Sequence, residues 1–454
     1  MFGSGRAILS LRESYRQDLR DVKKVTGMQY VRFHAIFHDE VGVYDEGAQG
    51  NPVLNFSYVD QIYDGLLADG VRPFVELSFM PKKLASNKDA LHAFWYKQNV
   101  SPPKDYAKWD AMITQFAKHL IERYGIDEVS QWYFEVWNEP NIDFWVGQPQ
   151  QSTYFELYDH TARALKAINQ RLRVGGPATA QAAWADAFIQ HCADNKVPAD
   201  FVSSHVYGND KAEDVFGTHE PIPRNGMVCR AIGKVHEQIK SSAMPNLPLI
   251  WSEFNASYAN EPDVTDASYM GPWMADTIRQ CDGLVDEMSY WTLSDVFEEQ
   301  GVVKQPFYGG YGLIAAGGIA KPAFNAFLLL HRLGDQRLGT SSEDVLVTRR
   351  KDGAFAIAAW NMADPGTRGP EKNFEFKFEH ARVSRVEVTR LDPDHGDVHK
   401  AYEAMGWPRY PTQQQIGKLR EAAKLVPGET HQLRSGSLNL KVPSQGLVLI
   451  ETKP

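Results

Sequence analysis

Residues 105–137 read DYAKWDAMITQFAKHLIERYGIDEVSQWYFEVW, a helical texture running into a strand-like one. In Asp105–Tyr124 the apolar residues Trp109, Met112, Phe116 and Leu120 recur at steps of three and four, which lines them along one buried face of a helix. Trp132–Trp137 is instead a short aromatic and β-branched run. The same two textures alternate through the first three quarters of the chain. Strand-like runs are Tyr30–Ile36, Arg72–Phe79, Trp132–Trp137, Arg173–Ala178, Phe201–Tyr207, Leu249–Asn255 and Glu287–Leu293, seven in all, and Thr153–Arg171 is a second clear helix.

Repeated strand–helix units imply parallel strands, because a crossover helix returns the chain to the same edge of the sheet. Near-continuously apolar strands fit a sheet covered on both faces. Eight such units close a (β/α)8 barrel of about 250 residues or more. The eighth strand is expected at the start of the chain, near Gly3–Ile8, with Leu11–Val22 as the first helix. An open, doubly wound sheet is the alternative, but GSGRAI at Gly3–Ile8 lacks the third glycine of a dinucleotide fingerprint. After Leu333 the texture changes to short alternating runs, Asp344–Arg349, Ala354–Trp360, Phe374–Phe378, Val383–Arg390 and Gly446–Glu451, separated by Gly, Pro and Asp turns. Within them Tyr410–Leu425 opens on Thr412 as a helix cap. The expected fold is therefore α/β, a TIM barrel over residues 1–333. A C-terminal antiparallel β-sandwich follows over 334–454, with a short helix near 411–425.

Composition narrows the function. Of 454 residues, 43 % are hydrophobic and 23 % charged, values of a globular chain rather than a disordered or collagen-like one. The net charge of −9 opposes binding to a polyanion, so nucleic acid is not an expected partner. No run approaches the roughly 18 apolar residues of a membrane span. The 12 % aromatic content supplies flat rings on which sugars stack, though most serve as core side chains. Cys192, Cys229 and Cys281 are widely spaced, make no zinc pattern and read as small buried thiols. The opening MFGSGRAILSLRESYRQDLRDV carries charges where an export signal needs an apolar stretch. That points to the cytoplasm unless a leader has been removed. Oligomeric state is not readable.

In such a barrel functional groups sit at the C-terminal ends of the strands. The third clear run ends Trp137-Asn138-Glu139-Pro140-Asn141 and the sixth ends Trp251-Ser252-Glu253-Phe254-Asn255. With the first strand at the chain start these are strands 4 and 7, so Glu139 and Glu253 face one mouth from opposite sides. Two opposed carboxyls are the minimum machinery for cleaving a glycosidic bond. One gives a proton to the leaving oxygen, and the other stays ionised to attack or stabilise the anomeric carbon. Environment separates the roles by moving one pKa up and the other down. Glu139 lies between apolar residues and a proline, a setting for the acid. Tyr207 is placed to donate to Glu253, and the amide of Asn138 to hold a sugar hydroxyl. A metal cluster of His34, His38 and Asp39 is disfavoured, because spacing of four gathers side chains on a helix and this segment reads as strand into loop. Glu135 shares side parity with Glu139 and reads as a structural ion pair with Arg32 or Arg72.

FEVWNEPN (Phe134–Asn141), IWSEFNASY (Ile250–Tyr258) and SYWTLSDVFEEQG (Ser289–Gly301) together resemble glycoside hydrolase family 39, the family of β-xylosidases and α-L-iduronidases. YVRFHAIFHDE, GVRPFVELSFMP, SSHVY, YGLI and YPTQQQIGKLREAA extend the likeness over nearly the whole chain. The resemblance implies a retaining hydrolase without a metal or organic cofactor, with Glu139 as acid/base and Glu253 as nucleophile. It further implies that His34, Asn138, His205, Tyr207 and one or both of Glu298 and Glu299 line the sugar site. Trp291 is a candidate stacking wall, and related barrels lead to the expectation of a cis peptide at Trp291–Thr292. The iduronidase branch aligns a lysine after the strand-6 histidine, whereas this chain reads His205-Val206-Tyr207. A neutral phenol favours a neutral pentoside, terminal β-D-xylosyl groups of xylo-oligosaccharides first. Arabinosides, galactosides, glucosides or iduronides are the alternatives, as is a non-catalytic carbohydrate-binding protein on a degenerate barrel. The chain also starts closer to GSGRA than expected of the family, which suggests a trimmed or short form lacking an edge strand of the sandwich.

Overall fold

In the computed structural model, which describes residues 1–379 and 383–452, eight parallel strands pair in sequence until the last meets the first. They are β1 (Phe2–Arg6), β2 (Tyr30–His34), β3 (Arg72–Leu77), β4 (Tyr133–Val136), β5 (Arg173–Thr179), β6 (Phe201–Tyr207), β7 (Leu249–Asn255) and β8 (Glu287–Tyr290). The pairings Phe2↔Val31 and Phe2↔Tyr290 close the ring, so the eighth strand lies at the chain start, where the count of seven runs placed it. It is followed by a 3-10 turn, Ala7–Leu11, and the helix Glu13–Thr26. Positions 380–382 and 453–454 of the expected sandwich lie outside the described residues.

Between strands, helices form where the spacing puts them. Tyr106–Tyr124 buries Trp109, Met112, Phe116 and Leu120. Its first turn is capped by the Asp105 carboxylate, which accepts from the amides of Ala107 and Lys108, and Gly125 at φ 81° ends it. The indole of Trp109 donates to Thr161 at 2.9 Å, which ties this helix to Gln150–Ile168. That second helix starts three residues before the expected Thr153. Pro149, with φ −62°, leads directly into it, and Asn169, in an extended conformation, ends it before Arg171.

Strand alternation stacks the barrel interior in layers. Tyr30, Phe74, Phe201 and Ile250 form an apolar layer at the N-terminal end. Two residues further along their strands come Arg32, Glu76 and Ser252, all fully or almost fully buried, with Glu135 of β4 beside Glu76. Above them sit His34, His205 and Glu253. Apolar packing closes the bottom, and the polar groups crowd toward the mouth.

The C-terminal part is an antiparallel sandwich. A six-stranded sheet runs in the order Gln336–Leu338, Val345–Arg349, Phe355–Asn361, Gly446–Thr452, Arg385–Leu391, Glu429–Gln432. Lys372–Lys377 pairs with Ser437–Val442 in a second sheet. Leu438, Leu440 and Val442 of the small sheet share a core with Ile357, Val388, Val448 and Ile450 of the large one. Thr412 and Gln415 form a reciprocal capping box at the start of the helix Gln413–Ala422. By contact the chain makes two compact units. One consists of Met1–Arg20, Met28–Asn255 and Gly283–Val303, and the other of Asp21–Gly27, Ala256–Asp282 and Lys304–Pro454. Among the described residues no helix is long and apolar enough to cross a membrane. The expectation of three thiols is corrected: Cys192 is free and buried, while Cys229 and Cys281 are disulfide-bonded.

Candidate active site

Glu139 does not extend β4; it sits on a turn bent by two non-glycine residues in the left-handed region, Trp137 at φ 71° and Glu139 at φ 42°. Such conformations cost about 1–3 kcal/mol each and persist only where surroundings impose them. Here the Trp137 indole donates to the Phe144 carbonyl at 2.8 Å, and the Glu139 amide donates to Ala178 at 2.8 Å. The bend turns the Glu139 carboxyl back over the barrel mouth, where Oε1 lies 3.0 Å from His205 Nδ1. Glu253 reaches the same space from β7, directly across from His205 on β6. One carboxylate oxygen of each glutamate and a ring nitrogen of His205 all lie within 4.8 Å of one another. Glu139 and Glu253 therefore share one cavity although 114 positions separate them in sequence (253 − 139).

Their environments differ. Burial first, and the charge of Glu253 second, push the Glu139 carboxyl well above the usual range. Glu253 Oε1 accepts from Arg32 Nη1 at 2.6 Å and its Oε2 from the Tyr207 hydroxyl at 2.7 Å. Burial and the neighbouring carboxylates hold the Tyr207 phenol well above its ordinary value, so it remains a donor. Glu253 thus keeps two donors and Glu139 none of comparable charge.

Arg32 is the organising group. It is wholly buried, and its guanidinium meets Glu135 Oε2 at 2.5 Å, Glu253 Oε1 at 2.6 Å, Glu76 Oε2 at 2.8 Å and Asn138 Oδ1 at 2.9 Å. Adjacent strands place Glu76 opposite Glu135, a like-charged pair that the guanidinium makes tolerable. The Asn138 oxygen is committed to Arg32. Glu76 also holds His34 by Nδ1 at 2.6 Å, so His34 Nε2 faces Glu253 at 3.8 Å and Glu299 at 3.7 Å.

The structure separates the adjacent pair Glu298 and Glu299. Both oxygens of Glu298 are engaged by Arg12, at 2.5 and 3.0 Å, and Arg6 adds a contact at 3.2 Å. Burial alone would raise the Glu298 carboxyl, but these arginines hold it below its ordinary value. Glu299 faces His34 instead, and burial, then Glu253 and Glu76, raise it well above the usual range. Trp291 is buried and leans on His34 with ring centroids 4.7 Å apart, and its peptide bond to Thr292 is cis. Trp137, Trp145 and Trp251 are also buried, as core members rather than open walls. His38 turns to the Tyr96 carbonyl and Asp39 to the Lys82 amide, away from His34. Arg72, the other partner considered for Glu135, pairs with Glu128. Sequence reading took Arg32 only as a partner of Glu135 and missed its hold on Glu253, the anchoring of His34 by Glu76, and Ser252. A charged residue inside YVRFHAI or RPFVELSF was the available signal, since buried charges are kept only when paired.

The chain is similar to known proteins over most of its length. The beta-xylosidase of Geobacillus stearothermophilus is 38 % identical over 97 % of this chain and 89 % of its own length. That of Caldicellulosiruptor saccharolyticus is 36 % identical over 93 % of this chain and 87 % of its own. The crystal structure of a monomeric beta-xylosidase from Caulobacter crescentus CB15 matches with a TM-score of 0.90 at 35 % identity, covering 100 % of this chain and 95 % of that one. The family description Glycosyl hydrolases family 39 matches residues 1–436, and the chain belongs to that family.

Proposed function

We propose that this glycoside hydrolase releases terminal β-D-xylosyl residues from xylo-oligosaccharides with retention of configuration. Glu139 protonates the leaving oxygen while Glu253 attacks the anomeric carbon and forms a glycosyl ester. Glu139, then a base, takes a proton from water, which displaces Glu253 and releases xylose. The observation that carries this reading is that one oxygen of each carboxyl lies within 4.8 Å of the other. An approach of one oxygen from each side to that distance favours the short carboxyl separation of about 5–5.5 Å of a covalent route over the roughly 6.5 Å or more of an inverting site. Their different partners support the division of roles: buried and facing an anion for the acid, two strong donors for the nucleophile.

Several observations favour a neutral pentoside. Tyr207 presents a phenol at the place considered for a uronate-binding cation, and Arg32 is wholly buried with its donors committed to protein acceptors. Both relatives named above act, by their names, as beta-xylosidases. Asn138, His34 and Glu299 supply hydrogen-bonding groups around the cavity. The test is a panel of aryl β-glycosides followed by proton NMR at early times. Release of β-xylose first, with α-xylose appearing only through mutarotation, is the expected result. Initial formation of the α-anomer, or faster cleavage of a glucoside or iduronide than of the xyloside, would overturn it.

A further inference from the structure

We infer that Ser252 and Glu135 are positioning residues that hold His205 in its Nε2–H tautomer, so that the Nδ1 lone pair receives Glu139 only in its protonated form. The inference rests on the reading of Glu139 as the proton donor. It follows from counting protons along one chain of contacts. Burial raises the Glu135 carboxyl, but the Arg32 charge opposes that rise, and Arg32 Nε donates to its Oε2 at 2.5 Å, so Glu135 stands as an acceptor. The Ser252 hydroxyl donates to Glu135 Oε1 at 2.6 Å. A serine has one proton to give, so toward His205 its oxygen can only accept. His205 Nε2 lies 3.0 Å from that oxygen and must carry the ring proton. Burial, with the charges of Arg32 and His34, keeps His205 neutral, well below its ordinary pKa, so no second ring proton exists. Nδ1, 3.0 Å from Glu139 Oε1, is then a bare acceptor.

The consequence is a rest position for the acid's proton. Protonated Glu139 donates to His205 until a glycosidic oxygen competes for it. Ionised Glu139 faces a lone pair at 3.0 Å, which disfavours the anion and drives proton uptake from water in the second half-reaction. The other groups facing this pair are Glu253 from β7, Arg32 and His34 from β2, Asp210 beyond β6 and Glu299 beyond β8. Arg32 ends the relay at one side and binds Glu253 at the other, so an unbroken line of contacts joins the two catalytic carboxyls through the barrel interior.

Two measurements on the full chain test this. Long-range proton–nitrogen NMR on histidine-labelled protein reads the tautomer directly and needs no substrate. The expected pattern for His205 is a protonated Nε2, and a protonated Nδ1 would overturn the inference. Kinetics of Ser252→Ala, with Ser252→Thr as the hydroxyl-keeping control, read the effect. Without the hydroxyl, His205 is free to place its proton on Nδ1 and donate to ionised Glu139. That lowers the pKa of the acid by about one unit, the equivalent of one gained charge-assisted hydrogen bond. The alkaline limb of kcat/KM moves down by the same amount. Hydrolysis of xylobiose falls about tenfold, while a nitrophenyl xyloside, whose leaving group needs little protonation, changes less than about twofold. Equal loss on both substrates with an unmoved alkaline limb would overturn the inference. Failure of the wild-type chain to cleave any β-xyloside would instead reject the functional reading and leave the tautomer result standing.

Discussion

Removing the charge of Glu253 is expected to turn Glu139 from an acid into a base. The Glu139 carboxyl is raised by burial and by Glu253, and only the second contribution changes during a reaction cycle. Two unit charges within 4.8 Å repel by about 3.5 kcal/mol at an effective dielectric constant of about 20, or about 2.5 pK units. Each charge is spread over two oxygens, so the expected change is roughly two units. Glu253 loses its charge in two ways that can be arranged independently: Glu253→Gln, and trapping with an activated 2-deoxy-2-fluoro-xyloside, which esterifies the carboxylate. The assay is a carbon-13 NMR titration of side-chain carboxyls in glutamate-labelled protein, with Glu139 assigned by its absence in Glu139→Gln. The Glu139 midpoint should fall by roughly two units in both neutralised forms. The acid is thus protonated when it must donate and ionised when it must accept. A fall of less than about half a unit would mean that desolvation alone sets this pKa, and the pairing with Glu253 would lose its mechanistic meaning.

Glu139→Ala should lower kcat/KM by about 10²–10⁴-fold on xylobiose and far less on an activated aryl xyloside, with added azide captured as the β-xylosyl azide, identified by NMR. Glu299→Gln should remove a pH-dependent cost. The native carboxyl keeps its proton where the unfolded chain releases it, so stability falls as pH rises from about 4.5 toward the raised native value. Melting temperatures measured from pH 4.5 to 8 should therefore decline less steeply in the variant than in the wild type, and parallel curves would contradict the assignment. Gly3→Ala places a methyl group 2.2 Å from Cε3 of Trp291. Displacing that ring from His34 should cost about 1–3 kcal/mol in chemical denaturation and weaken substrate binding as a raised KM.

Legibility of the fold followed the density of side-chain information. β6 and β7 are buried at every position, and FVSSHVY and LIWSEFN were read to the residue. β1, sequence FGSGR, has almost no strand propensity, and counting alone located it. Its glycines are there for space: a Cβ at Gly3 would strike the Trp291 ring, and one at Gly5 would come 2.7 Å from the Phe297 carbonyl. In the sandwich, Glu429–Gln432 is a polar edge strand with no apolar alternation to detect, and Gln336–Leu338 is too short to register. Ser437–Val442 is a different case. Leu438, Leu440 and Val442 alternate with Ser437, Asn439 and Lys441, so the period-two signal of a strand is present in the sequence.

At the site, strand ends pointed to Glu139 and Glu253, but what conditions them lay one layer deeper. Glu298 and Glu299 are neighbours in sequence and cannot be told apart by pattern. Glu298 takes φ 61° on a loop, and its side chain goes to Arg6 and Arg12 while Glu299 goes to His34. The deeper layer has a charge balance that could have been counted. Arg32 reaches Glu76, Glu135 and Glu253 together, His34 adds contacts to Glu76, Glu253 and Glu299, and Glu139 stands close by. One guanidinium and one imidazole cannot neutralise five carboxyl groups in a desolvated space, so some of them must hold protons. Among those gripped by Arg32, Glu76, which also meets His34 and Ser78, is held below its ordinary value despite its burial, whereas burial still leaves Glu135 raised. The two that Arg32 does not touch, Glu139 and Glu299, are raised most. The raised carboxyls of Glu139 and Glu299 are thus a consequence of crowding carboxylates around too little positive charge, and both lie outside the direct grip of Arg32 on β2.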